Sequence, residues 1–189
     1  MHPDSASGSL DSASGSLDSA SGSLDFAPGS LIVLVGGSGA GKSRYAARRW
    51  PATWRLCPDE YRAMATDSAA DQSATPVAAQ IQDLLLDARL ARKLTTVVDS
   101  TALLPHVRAH LLARARYWQR PCAAVLFEVS LERRRLLNGA RERVVPDHVL
   151  VDQERLLPTA EELLGEGFTH VDRALPTSPA WLESARIGR

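Results

Sequence analysis

From residue 31 onward, short apolar runs alternate with stretches whose apolar positions recur every three or four residues. LIVLV at 31–35 is a fully apolar run of strand length that ends in glycines. TTVVD at 95–99 and CAAVLFEV at 122–129 share that character, and WRLC at 54–57 and FTHV at 168–171 are weaker versions of it. Between them, Val77, Ile81, Leu84, Leu85 and Ala88 mark the core face of one helix, and Val107, Leu111, Ala115 and Trp118 that of the next. Val149, Leu156, Leu157, Ala160 and Leu164 mark a third, which opens after Pro146. Apolar strands separated by amphipathic helices predict an α/β fold: a three-layer sandwich with about five mainly parallel strands, covered on both faces. Segment 64–75, MATDSAADQSAT, has no periodicity and is expected to form a surface loop.

The region before this pattern has a different character. Residues 4–24 read DSASGSL three times, and DFAPGSL at 25–31 is a decayed fourth copy. Seven residues of Asp, Ser, Ala and Gly with one Leu bury too little surface to offset chain entropy, so 1–30 is expected to be a disordered acidic leader. The alternative is a docking motif presented repeatedly through its leucines. The folded domain is then expected over 31–175, with 176–189 a loosely attached tail.

Composition changes the picture only by exclusion. With 44% hydrophobic and 23% charged residues, the chain is not wholly disordered, collagenous or a disulfide scaffold. Its 22 basic and 22 acidic residues cancel. The leader holds Asp4, Asp11, Asp18 and Asp25 and no cation, which leaves a surplus of four positive charges in the rest. That surplus is compatible with a polyanionic ligand. No run approaches the ~18 apolar residues that cross a bilayer, and the start lacks the basic and apolar regions of a secretory signal. Cys57 and Cys122, far apart in apolar surroundings, fit a reduced cytoplasm.

The chemistry begins where the first apolar run ends. GGSGAGKS, comprising Gly36, Gly37, Ser38, Gly39, Ala40, Gly41, Lys42 and Ser43, fits G-x-x-x-x-G-K-[ST] in full, between a strand and a helix. Glycines let the backbone turn its N–H groups inward around phosphates, and the following helix adds its positive N-terminal end. Lys42 can then neutralise the β- and γ-phosphates of ATP, while the Ser43 hydroxyl ligates Mg²⁺. An ordinary glycine turn would not account for one of only two lysines in the chain falling at this position.

With PDEYR at 58–62, VVDST at 97–101 and NGARERVVPDHVLVDQ at 138–153 following in that order, the chain resembles the P-loop polynucleotide 5′-hydroxyl kinases and related small kinase-like ATPases. The resemblance spans about Leu31 to Asp172 and implies a P-loop NTPase fold. Phosphoryl transfer to a hydroxyl requires a carboxylate to accept the proton and cations to hold the acceptor and the migrating charge. Asp59 lies 16 residues past Ser43, after the expected second strand, and Asp59 and Arg62 would share a helical face if a turn begins there. By resemblance, Asp59 is the general base and Arg62 clamps the acceptor phosphate; the alternative for Asp59 is a helix N-cap. Asp99 closes the third strand, where such an acid orients Mg²⁺ and its water or fixes Arg62, with Thr101 in support; capping the next helix is its alternative.

The resemblance also implies a lid over the nucleotide, with Arg141 and Arg143 best matching its arginines. Two departures stand out: Ala102 occupies a position where the family usually has Asn, and Leu137 precedes Asn138 where an Arg is common. Arg133, Arg134 and Arg135 are expected to form a solvated helix face. His106 and His110, four apart without an acidic partner between them, are expected to be surface histidines. Trp50, Trp54, Trp118 and Trp181 are expected to be packing residues.

These readings converge on transfer of the γ-phosphate of ATP to a hydroxyl, with the 5′-hydroxyl of a nucleic-acid end first. A small hydroxyl substrate such as a sugar, nucleoside or antibiotic is the alternative within the class. A non-catalytic ATP-binding switch is the alternative outside it.

Overall fold

The computed structural model describes residues 26–141 and 143–174; the repeat at 4–24, the tail at 176–189 and Trp181 lie outside the described residues. Five strands, β1 (Leu31–Val35), β2 (Arg55–Leu56), β3 (Thr96–Asp99), β4 (Cys122–Leu126) and β5 (His170–Arg173), pair in parallel in the order β2-β3-β1-β4-β5. Seven helices are described: α1 (Lys42–Arg49), α2 (Pro58–Thr66), α3 (Thr75–Ala91), α4 (Pro105–Tyr117), α5 (Leu131–Gly139), α6 (Asp147–Arg155) and α7 (Ala160–Glu166).

β1 shows why its sequence is apolar at every position. Leu31, Val33 and Val35 pack on one side with α3, α4 and α7, while Ile32 and Leu34 pack on the other with Ala46 of α1 and Phe127. A central strand buried on both faces requires a continuous apolar run, and its successive side chains divide two cores between the outer layers. The three-layer α/β reading therefore holds, with five parallel strands.

Helix faces depart further from expectation. In α3 the buried positions are Ala78, Gln82, Leu86 and Leu90, whereas Val77, Leu84 and Leu85 are exposed and Ile81 is only partly buried. The helix docks through a narrow line of residues four apart, Ala78, Gln82, Leu86 and Leu90, so Leu84 and Leu85 beside that line remain in water. The third expected helix is two, α6 and α7, separated at Pro158; Leu150 and Leu163 are its buried members, while Leu156 and Leu164 are exposed. Thr159 and Glu162 form a capping box that restarts the chain as α7. Segment 64–75 is only partly loop, because α2 runs to Thr66 and α3 begins at Thr75.

One buried ion pair anchors the loop that follows β3. Arg108 of α4 is 3% exposed; its guanidinium donates to the carbonyls of Ala102 and Leu103 and forks onto both carboxylate oxygens of Glu166 at 2.6 and 2.7 Å. Ala102 itself has φ 47, a left-handed conformation that Asn tolerates better than Ala. Arg108→Ala would leave the Glu166 carboxylate and two carbonyls without their partner, so we expect a loss of about 3 kcal/mol, read from the denaturant midpoint.

Candidate functional site

β1 delivers the chain into GGSGAGKS at the carboxyl edge of the sheet, and α1 begins at Lys42. Gly36 donates its N–H to the Thr101 carbonyl at 3.0 Å, tying the loop to the chain beyond β3. Two glycines are required by what lies beneath them: a Cβ on Gly37 would collide with the Arg134 guanidinium, and one on Gly39 would stand 2.8 Å from the Arg134 carbonyl oxygen. Gly39 also has φ 81, which strains any residue with a side chain.

Lys42 is buried and folds back over its own loop, donating to the carbonyls of Gly36 at 2.7 Å and Gly37 at 2.9 Å. Burial pushes its ammonium down to about 8; Asp99 and Asp59 oppose that shift, and Arg141 and Arg134 add to it. These four groups therefore converge electrostatically on the lysine.

Around the loop lies a cavity of about 870 Å³ lined by Ser38 through Ser43, Asp59, Arg62, Asp99, Thr101, Arg141 and Arg143, among others. Every charged residue singled out from the sequence as a site residue reaches this one space. Its lining holds eight cations, Lys42, Arg44, Arg48, Arg49, Arg62, Arg133, Arg141 and Arg143, against two carboxylates, Asp59 and Asp99.

Asp59 and Arg62 do share a helical face, on the first turn of α2, and pair with each other. Asp59 is not the N-cap of that helix; Cys57 is, with Pro58 opening the first turn. Arg62 is 7% exposed and also donates from Nε to the Ala69 carbonyl at 3.0 Å. Arg143 crosses to this side: it donates to the same carbonyl at 3.0 Å and lies 3.9 Å from Asp59 Oδ2. Asp99 is buried at the end of β3 as expected, but its partner is Arg55, at 3.0 Å, rather than Arg62. The pairing has a geometric cause: β2 runs alongside β3, so Arg55 stands next to Asp99, while Arg62 is already taken by Asp59.

The sequence reading missed two residues. Arg134 is not on a solvated face: at 2% exposure it bonds the carbonyls of Val129 and Leu150, pairs with Glu154, and packs under Gly37. Arg135, in contrast, is exposed and pairs with Asp147. Gln153 of α6 bonds Ser38 through both its amide atoms. The local pattern carried one usable signal, since Arg134 and Asn138 are spaced as one helical face. Asn138 is buried as well, and its amide bonds both the N–H and the carbonyl of Val145, closing the turn between α5 and α6.

Other candidates fall outside the cavity or are inert. His110 bonds Asp83 and Arg114 on the surface between α3 and α4, and the described residues contain no group of three or more His, Cys, Asp or Glu side chains that could hold a metal ion. Cys57 and Cys122 are free and buried; burial pushes the Cys122 thiol up to about 12, so it is a packing residue rather than a nucleophile. Trp50 packs edge-on against Tyr45, and Trp118 donates to Asp87. No described helix is long and apolar enough to cross a membrane.

No curated protein matches the chain. Among solved structures, Kti12 of Chaetomium thermophilum in complex with ADP-AlF3 superposes with a TM-score of 0.56 at 13% identity, covering 83% of this chain and 96% of the other. A gluconokinase from Sinorhizobium meliloti 1021 gives 0.50 at 20% identity, with 82% and 86% covered. A chain of a Pnkp1/Rnl/Hen1 complex gives 0.50 at 21% identity over 62% of this chain, which spans only 40% of that protein's length. At these identities the likeness establishes the P-loop fold. A family model described as an AAA domain matches residues 31–160. The chain therefore belongs to that AAA domain family.

Proposed function

We propose that the protein is an ATP-dependent phosphotransferase that moves the γ-phosphate to a hydroxyl, with the 5′-hydroxyl of a nucleic-acid end as the acceptor. One observation carries this reading: the phosphate loop and the Asp59–Arg62 pair open into the same cavity, whose lining is strongly cationic. A nucleotide alone needs the loop, Lys42 and a lid arginine. The additional arginines at the Asp59 end suit an acceptor that itself carries phosphate. The gluconokinase likeness keeps a sugar hydroxyl as the second reading, since the same cavity would admit a small acceptor beside the nucleotide. A reduced, cytoplasmic setting suits two free cysteines.

The donor half comprises the loop amides, Lys42 and Arg141. Lys42 leaves the carbonyls of Gly36 and Gly37 for the β- and γ-phosphates, and Arg141 takes up charge on the transferring group. The hard-oxygen set that Mg²⁺ needs is present: the Ser43 hydroxyl and the Asp99 carboxylate line the cavity, with the buried Ser100 hydroxyl unpartnered beside them. Bound there, Mg²⁺ would neutralise phosphate charge and orient the β- and γ-oxygens.

In the acceptor half, Arg62 pairs with the Asp59 carboxylate and Arg143 lies 3.9 Å from it, and the two guanidinium groups would clamp a phosphate beside the acceptor hydroxyl. The acceptor oxygen attacks the γ-phosphorus, the bond to the β-phosphate oxygen breaks, and ADP departs. Asp59 takes the hydroxyl proton.

The test offers γ-labelled ATP with 5′-hydroxyl oligonucleotides, mononucleotides, nucleosides and sugars in parallel. Label on the oligonucleotide supports the proposal. Label only on a sugar or nucleoside overturns the polynucleotide assignment, and label on none overturns phosphoryl transfer to these acceptors in favour of a nucleotide-binding switch.

A further inference from the structure

We infer that Gln153 is a positioning residue that sets the shape of the phosphate loop before its ligand arrives; this rests on the reading that the loop takes a nucleotide phosphate. Gln153 Oε1 accepts the Ser38 backbone N–H at 2.7 Å, and its Nε2 donates to the Ser38 hydroxyl at 3.1 Å. One side chain thus satisfies two groups of a loop residue 115 positions away. Ser38 lies between Gly37 and Gly39, in a motif of eight residues with four glycines, each of which loses more conformational freedom on ordering than any other residue type. Fixing each residue costs about 1–2 kcal/mol of entropy, so a loop without an internal brace would meet this cost on binding. A bidentate bond formed in the free protein moves that cost from binding to folding.

The residue next to Gln153 completes the brace. Glu154 pairs with buried Arg134, whose guanidinium fills the space under Gly37 and whose carbonyl lies under Gly39. Residues 37–39 are therefore held by Gln153 on α6 and by Arg134 on α5. These two helices flank the lid turn that Asn138 closes onto Val145, so lid and phosphate loop share one support.

The experiment measures ATP binding in the presence of Mg²⁺ by calorimetry, together with amide exchange of the loop peptide, residues 36–43. Gln153→Ala is expected to weaken ATP binding about tenfold, consistent with one or two lost hydrogen bonds. The KM for ATP should rise similarly, with kcat at saturating ATP changed less than threefold. Loop exchange should accelerate in the free variant and return to the wild-type rate with ATP bound, a signature that a remote packing defect would not give.

Gln153→Asn, one methylene too short to reach both Ser38 atoms, should behave like Gln153→Ala and keeps the test valid should the alanine variant fail to fold. Gln153→Glu retains an acceptor for the Ser38 N–H, so its loop should stay protected while the added negative charge weakens ATP binding. Unchanged affinity and exchange in the Ala and Asn variants would overturn the inference alone. Tighter ATP binding would also overturn it, because the glutamine would then compete with phosphate. A wild-type protein that does not bind ATP would overturn the functional reading and this inference together.

Discussion

Lys42→Ala is expected to lower phosphoryl transfer by about 10³-fold or more with every acceptor, because no other side chain lies in the loop to neutralise the β- and γ-phosphates. The effect is independent of acceptor identity, which separates it from any defect in the acceptor half. The fold should persist: Lys42 bonds only the carbonyls of Gly36 and Gly37, while the loop's other supports, Thr101, Gln153 and Arg134, are untouched. The measurement is label transfer to each acceptor beside a thermal melt. Near-normal transfer by a folded Lys42→Ala protein would remove the phosphate loop from the mechanism.

Asp59 and Arg62 are expected to fail in different ways, although they touch each other. Asp59→Asn keeps the shape of the side chain and removes its ability to accept a proton, so kcat should fall by about 10²–10⁴ with ATP binding retained. Arg62→Ala should instead raise the KM for an acceptor carrying a phosphate beside its hydroxyl and misplace that hydroxyl. A nucleoside without the phosphate should be a poor substrate of the wild type and hardly poorer for Arg62→Ala. Because Arg62 also holds the Ala69 carbonyl, Arg62→Lys serves as a control that retains charge but not the planar fork. Wild-type rates for both Asp59→Asn and Arg62→Ala on a 5′-hydroxyl oligonucleotide would move the small-acceptor and switch readings ahead.

Much of the candidate site was legible because its signals are local. The loop motif is contiguous, and the pairing of Asp59 with Arg62 follows from a three-residue spacing on one helix. Asp99 was recognisable because an acid ending an apolar run stands at the carboxyl edge of a sheet. Its partner was not, since the pairing of β2 beside β3 is a non-local fact that brings Arg55 across 44 residues. Arg134 was misread for a related reason. Charged residues are normally solvated, and only the polar underside of a glycine-rich loop, with Glu154 beside it, makes burial of a guanidinium tolerable.

The class of the fold and the phosphate-loop motif could be read without any tertiary information. Both rest on period and contiguity: a strand buried on two faces must be apolar throughout, and a loop that wraps phosphate must be rich in glycine and end in a cation. The break at Pro158 is written locally, in the proline and the Thr159–Glu162 capping box, whereas tertiary packing set the strand order β2-β3-β1-β4-β5 and the rotated face of α3. Tertiary packing alone also placed Arg143 beside Asp59 and Gln153 on Ser38. The reason is physical: which stripe of a helix is buried, and which distant polar groups satisfy each other, depends on the shape and unmet hydrogen bonds of the neighbouring element. Neither is written in a residue's local sequence.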